Sequence, residues 1–149
     1  MRKLDLQTDK MLAHVEEGIG WITFNQPEKR NAVSYAMWQA IPQIIDDFTS
    51  SDDVRVVVMK GAGDKAFVSG ADISEFEKLR STPQQIETYN AVTSTSSTAL
   101  RSLEKPLIAM IRGFCVGGGL AISLAADLRI SAVDGQFGVP AAKLGVGYG

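Results

Sequence analysis

The sequence predicts an α/β fold built on parallel strands. Two observations carry that prediction. Short apolar, β-branched runs of strand length (Val54–Met59, VRVVVM, and Leu107–Ile111, LIAMI) alternate with longer stretches at helical spacing. The unit "apolar strand, small-residue turn, helix start" also occurs twice, at Val68–Ile73 and around Gly117–Gly119. Strand–helix alternation of this kind points to parallel strands covered by helices.

In chain order, Ala13–Glu16 is a first short strand, Gly18 a turn, and Ile19–Phe24 (IGWITF) its hairpin partner. A polar loop, Asn25–Asn31, carries Lys29 and Arg30. Ser34 is a competent N-cap, and Met37, Trp38, Ile41, Ile44, Ile45 and Phe48 form one apolar helical face. Pro42 lies inside that pattern and is expected to kink or split the helix. Val54–Met59 reads as a buried parallel strand. After the link GAGDKAF, Val68–Ile73 runs into a short helix ending near Glu77. A long helix follows Pro83, with Ile86, Tyr89, Leu100 and Leu103 on one face. Its middle, TSTSST, forms helix poorly and is expected to be loose or bent. Then come the strand after Pro106, the link Arg112–Val116, three glycines, the small-residue helix Leu120–Ala126 and a last apolar run, Leu128–Ala132. The tail QFGVPAAKLGVGYG shows no closing element.

The glycine turn is the first candidate site. Glycine tolerates positive φ and lets a ligand approach the backbone. A helix starting at Gly118 or Gly119 has first amides with no partner inside the helix, at its positive end. Such amides suit an anion or a developing oxyanion. The same glycines also suit plain close packing of helix on sheet.

Composition excludes several classes. With 149 residues, 45% hydrophobic, 21% charged and a net charge of −2, the chain reads as one soluble globular domain, without the basic excess of a nucleic-acid binder. Its longest uncharged stretch, Gly113–Ala126, is shorter than the roughly 20 apolar residues a membrane span needs. The N-terminal segment MRKLDLQTDKML has no apolar core of signal-peptide length. Cys115 is the only cysteine and His14 the only histidine, which argues for a reducing cytoplasm and against a zinc site. The dinucleotide GxGxxG, Walker A and GxSxG patterns are absent. A hydrolase triad would have to recruit His14 with Ser69 or Ser123, and His14 reads better as a surface or edge residue.

Four segments together, NQPEKRNAVS, AFVSGADISEF, IRGFCVGGGLAISLAADLRIS and FGVPAAKLGVGYG, resemble the crotonase (enoyl-CoA hydratase/isomerase) superfamily in order and spacing. The resemblance covers nearly the whole chain from about Val15. It implies a crotonase-like ββα spiral over 1–149, acting as an acyl-CoA-binding domain, with coenzyme A as part of the substrate and no prosthetic group. By motif position, the Ala71 and Gly118 amides are the expected oxyanion donors. The segment Ala66–Ile73, including Ser69 and Asp72, is the expected adenine- and thioester-side wall. Lys29 and Arg30 are expected on the CoA phosphates, with Ala32 and Gly117 completing the cofactor-binding set.

The resemblance also has departures. Family hydratases carry one glutamate two positions after the triple glycine and another after the proline of the FGxPE-like segment. Ala121 and Ala141 stand there in this chain. Alanine can neither give nor take a proton. The resemblance therefore supports a hydratase-like lyase in label. It leaves open a malonyl- or methylmalonyl-CoA-type decarboxylase using Tyr148, and a catalytically weak acyl-CoA-binding or assembly subunit. Asp72 also suits helix capping. Relatives normally continue with helices that close the acyl pocket and join subunits, so the fold is expected to be incomplete at its C-terminus. An uncovered apolar face and homo-oligomers, trimers or hexamers, are then expected.

Overall fold

The computed structural model describes residues 1–145. Its first strands are β1 (Arg2–Lys3), β2 (Met11–Glu16) and β3 (Ile19–Phe24), paired antiparallel. Glu17 and Gly18, with φ of 52° and 83°, form the tight hairpin turn that puts Glu16 opposite Ile19. Then β4 (Val56–Gly61), β6 (Leu107–Ile111) and β8 (Leu128–Ser131) add in parallel beside β3, giving a six-stranded sheet in the order β1-β2-β3-β4-β6-β8. A second, three-stranded parallel sheet holds β5 (Ala66–Val68), β7 (Phe114–Val116) and β9 (Gln136–Gly138).

The chain visits the sheets in turn. Each large-sheet strand from β4 onward is followed by a small-sheet strand, and the first two of these pairs are followed by helices. The helices are α1 (Tyr35–Ser50), α2 (Phe76–Leu79), α3 (Pro83–Ser102) and α4 (Gly118–Leu124). This is the expected ββα spiral. Its core lies between the large sheet and α1. Ile22, Phe24, Val57, Met59, Leu107 and Ala109 pack with Met37, Ile41, Ile44 and Phe48, all but shielded from solvent.

Several expectations need correction. The strand expected at Val54–Met59 starts and ends two residues later, because Val54 and Arg55 belong to the link in which Arg55 N donates to the Gly18 carbonyl. The link Arg112–Val116 contains a real strand, β7. The antiparallel hairpin of β2 and β3 is as expected, and β1, which was not expected, pairs antiparallel on its outer edge. Pro42 does not split the helix: α1 runs unbroken for 16 residues. Proline removes the N–H that would reach the carbonyl four residues earlier, that of Trp38. Here the Ser96 hydroxyl of α3 donates to the Trp38 carbonyl at 2.5 Å. The TSTSST stretch is likewise continuous helix, and Ser96 within it is fully buried.

Ser34 is the expected N-cap of α1, and Thr82 caps α3. Ser34 Oγ accepts from Met37 N, and Thr82 Oγ1 accepts from Gln85 N ahead of Pro83. An uncovered apolar surface is present too, with Leu124 63%, Leu128 59%, Ile130 59% and Phe137 52% exposed. Among the described residues no helix is long and apolar enough to cross a membrane.

Candidate functional site

The first turn follows β5. Gly70 has a φ of 130°, a conformation that L side chains rarely adopt. Val33 N donates to the Gly70 carbonyl at 2.8 Å, and Asp72 N donates to the Val33 carbonyl at 3.0 Å. These two bonds pin the chain on both sides of Ala71. The Ala71 amide itself donates to no group of the described residues.

Asp72 anchors the turn from behind. It is 5% exposed and caps the 3₁₀ turn Ile73–Glu75 by accepting from Ser74 N at 3.1 Å and Ser74 Oγ at 2.5 Å. Its other oxygen accepts from Lys29 Nζ at 3.2 Å and, more weakly, from Gln26 Nε2 at 3.4 Å. Burial pushes its carboxyl up. The Ser74 and Lys29 hydrogen bonds outweigh that and leave it below the usual aspartate value.

The second turn joins β7 to α4, and its three glycines do different work. Gly117, with φ of 57°, donates to the Gly138 carbonyl at 2.8 Å and reverses the chain. Gly119 permits close packing: a Cβ there would lie 1.9 Å from the Val68 carbonyl oxygen. Gly118 has neither role. Its φ is not positive, and a Cβ built on it would meet the Ala71 nitrogen at 3.8 Å and Gly70 carbon atoms at 3.9 Å. The Gly118 N–H, first in its helix, also donates to no group of the described residues. Two free amides from separate turns thus border one small space. The helix has only seven residues. The local N–H donors, rather than a long-helix dipole, make the site attractive to an oxyanion.

The other sequence-predicted residues sit around these turns. Ser69 Oγ donates to the Lys29 carbonyl at 3.3 Å, and Ala66 is buried in β5. The Ala32 carbonyl accepts from buried Gln26 Nε2 at 2.7 Å. Lys29 is half-exposed, with Nζ on Asp72 and on Ser74 Oγ. Arg30 lies over the Phe114 ring, 4.7 Å from its centroid, beside a cleft of about 190 Å³ that Asn31 and Lys65 also line. Ile73 is 73% exposed. Ala121 is exposed on α4, and Ala141 lies in the 3₁₀ turn Pro140–Leu144. Tyr148 lies outside the described residues.

Sequence reasoning missed Gln26 and Asn31, both fully buried. Asn31 Nδ2 donates to the Ala62 and Ala66 carbonyls at 2.9 Å, and its Oδ1 accepts from Gln26 N at 3.0 Å. Gln26 Oε1 accepts from Lys10 Nζ at 2.7 Å. Both residues sit in a polar loop, where nothing local distinguishes a buried amide from a solvated one. His14, half-buried on β2, stacks on Trp21 and joins no serine, so a triad finds no support. Among the described residues no group of three or more metal-ligating side chains occurs.

Comparison with known proteins identifies the family. A family model described as Enoyl-CoA hydratase/isomerase matches residues 14–148. The chain is 30% identical over 146 residues to the short-chain-enoyl-CoA hydratase of Clostridium acetobutylicum, covering 97% of this chain and 55% of that protein. It is 32% identical over 133 residues to the (E)-benzylidenesuccinyl-CoA hydratase of Thauera aromatica, covering 87% of this chain and 50% of that one. The crystal structure of an enoyl-CoA hydratase/carnithine racemase from Magnetospirillum magneticum superposes with a TM-score of 0.91 at 36% identity, over 96% of this chain and 54% of that one. The chain therefore spans about half the length of the relatives it matches.

Proposed function

The chain belongs to the enoyl-CoA hydratase/isomerase family, and on that premise we propose that it binds an acyl-CoA thioester and stabilises its oxyanion or enolate between the Ala71 and Gly118 amides. One observation carries the reading: the Ala71 nitrogen lies 3.8 Å from where a Cβ on Gly118 would sit, and neither residue's N–H donates to a group of the described residues. Paired donors aimed at developing charge are among the largest single contributions to catalysis of this kind. The named relatives act on enoyl and benzylidenesuccinyl thioesters, which supports a CoA thioester as the ligand class. Lys29 and Arg30 are then the candidates for the CoA phosphates, and coenzyme A enters as part of the substrate.

A second reading rests on a specific observation. Among the described residues, the two carboxylates that follow Ala71 most closely in the chain are both engaged. Asp72 is engaged by Ser74 and Lys29, Glu75 Oε1 accepts from Tyr35 N at 2.7 Å, and alanine occupies positions 121 and 141. Adding water to an enoyl thioester needs a group free to move a proton. Decarboxylation of a malonyl-type thioester does not, because breaking the C–C bond itself delivers the electron pair to the thioester. Mass spectrometry of enoyl-, malonyl-, methylmalonyl- and hydroxyacyl-CoA incubated with the protein tests both readings. Gain of water supports the hydratase, loss of carbon dioxide the decarboxylase. Failure of every thioester to bind would remove the oxyanion reading altogether.

A further inference from the structure

The Ala71 amide ends a hydrogen-bond chain that begins at a cation. Lys10 Nζ donates to Gln26 Oε1 at 2.7 Å, and Gln26 Nε2 donates to the Ala32 carbonyl at 2.7 Å. That carbonyl belongs to the same peptide as the Val33 N–H, which donates to the Gly70 carbonyl at 2.8 Å. The Gly70 carbonyl in turn shares its peptide with the Ala71 N–H. Three amides therefore stand in series: the Gln26 side chain, the peptide 32–33 and the peptide 70–71. In each, the oxygen accepts and the nitrogen passes the next bond on. The series stops at Ala71, whose N–H donates to no group of the described residues.

The direction of the series is fixed by its chemistry. An ammonium only donates and a backbone carbonyl only accepts, so the Gln26 oxygen must face Lys10 and its nitrogen must face Ala32. The inner members are shielded from water, with Gln26 fully buried and Val33 1% exposed. In such surroundings bonds in series polarise one another, by roughly 10–30% per bond. The Lys10 ammonium starts that polarisation, and among the described residues it forms no ion pair that would cancel its charge. Electron density drawn toward Lys10 leaves more positive charge on the Ala71 hydrogen. Gln26 Nε2 also makes a weaker contact at 3.4 Å with Asp72 Oδ2, which Lys29 Nζ shares. Gln26 thus touches the supports on both sides of Ala71.

We infer that Lys10 and Gln26 are positioning residues of the oxyanion site: the Lys10 charge, relayed through Gln26 and two peptides, strengthens the Ala71 N–H as a donor. The inference rests on the oxyanion reading above.

Two measurements on the full chain test it. In the ligand-free protein, NMR reads the amide hydrogens of Val33 and Ala71. With saturating butyryl-CoA, infrared spectroscopy reads the thioester carbonyl stretch. Lys10→Met removes the charge and keeps a side chain of similar length. It should move both amide hydrogens upfield and take about 10% of the carbonyl shift, the low end of the range because the charge lies three bonds away. Lys10→Arg should preserve both signals. Gln26→Met cuts the relay, so adding Lys10→Met to it should change nothing further. A merely structural contact would lower the melting temperature and leave the carbonyl stretch of bound butyryl-CoA where it was. Unmoved amide hydrogens in Lys10→Met overturn the inference, as does a Lys10→Met effect of equal size with and without Gln26. If Gln26→Met does not fold, the two Lys10 variants decide alone, because Lys10 is half-exposed. If butyryl-CoA fails to bind, or binds to the unsubstituted protein without a carbonyl shift, the oxyanion reading falls and this inference with it. A carbonyl shift present in the unsubstituted protein and intact in Lys10→Met overturns the inference alone.

Discussion

Gly118→Ala separates the chemistry of the glycine turn from its folding. The added methyl would lie 3.8 Å from the Ala71 nitrogen and 3.9 Å from Gly70 carbon atoms, an ordinary contact distance. Gly118 does not need positive φ and begins a helix, so alanine should fit and even stabilise the chain by up to about 0.5–1 kcal/mol. On the proposed reading the methyl, which keeps the Gly118 N–H but adds bulk 3.8 Å from the Ala71 nitrogen, crowds an oxyanion held by both amides. Outright loss of one such donor costs about 100- to 1000-fold, or about 2.7–4 kcal/mol, which is the upper bound for the variant. The assay is the infrared carbonyl stretch of a bound thioester, which falls when two N–H groups polarise the C=O and can be read without turnover. The variant should lose most of that shift while melting at or slightly above the temperature of the unsubstituted protein. Gly119→Ala provides the contrast. Its methyl would lie 1.9 Å from the Val68 carbonyl oxygen, so it should unfold the α4–β5 contact whatever the ligand. An unaltered carbonyl shift in Gly118→Ala, or a collapse in stability like that of Gly119→Ala, would refute the assignment of the middle glycine.

The remaining predictions follow from individual contacts. Ser96→Ala strands the buried Trp38 carbonyl and should cost about 1–3 kcal/mol in urea unfolding. Adding Pro42→Ala restores an N–H to that carbonyl and should recover part of the loss, a coupling that a double-mutant cycle would detect. Asp72→Asn should destabilise the protein by about 1–2 kcal/mol at neutral pH. Because the folded-state pKa of Asp72 lies below its ordinary value of 3.8, its contribution is complete above that value and is lost as the pH falls through the folded one. The stability gap between the two proteins should therefore close on acidification below about pH 4, and a gap that instead widens there would contradict the Lys29–Asp72 pairing. Burial raises the pKa of Cys115, so iodoacetamide at pH 8 should label it only after denaturation. Labelling of the native chain at the rate of an exposed thiol would show that β7 opens.

What the sequence made legible was whatever depends on local chemistry. Ser34, and Thr82 with Pro83, announce their helices because caps act within one turn. The pattern Ile41, Ile44, Ile45, Phe48 announces the buried face of α1 because burial follows the helical period. The two glycine turns were visible because glycine readily adopts the φ of 130° at Gly70 and the φ of 57° with ψ of −120° at Gly117, and the resemblance to a family supplied their partnership. Long-range relations were not legible. β5 and β7 have three residues each, too few for a periodic signal, and exist because they pair with each other. The continuity of α1 through Pro42 depends on Ser96, in a serine- and threonine-rich stretch that propensity alone marks as weak helix. The neutral-looking loop Asn25–Asn31 turned out to bury Gln26 and Asn31. Its Lys29, singled out for phosphates, has Nζ on Asp72, the residue after Ala71.

That last pairing constrains the chemistry available at the site. A carboxylate that accepts from Ser74 and Lys29 and is held below its ordinary pKa stays ionised and occupied at neutral pH, which makes it a poor proton carrier. Its structural value is high for the same reason. Asp72 fixes the residue after Ala71, while the Val33 bonds fix the residues on either side, so the Ala71 N–H is aimed without using its own donor. The three glycines divide the work in parallel, one reversing the chain, one admitting β5, and one, Gly118, with neither role and an N–H that donates to no group of the described residues. Around Ala71 the buried polar groups hold the backbone, and among the described residues the nearest acids in the chain, Asp72 and Glu75, are both engaged. A site of this composition stabilises negative charge that the substrate itself generates better than it creates that charge by removing a proton. This makes the carbon dioxide arm of the thioester panel the most informative, and a clean gain of water there would require a base from outside the described turns.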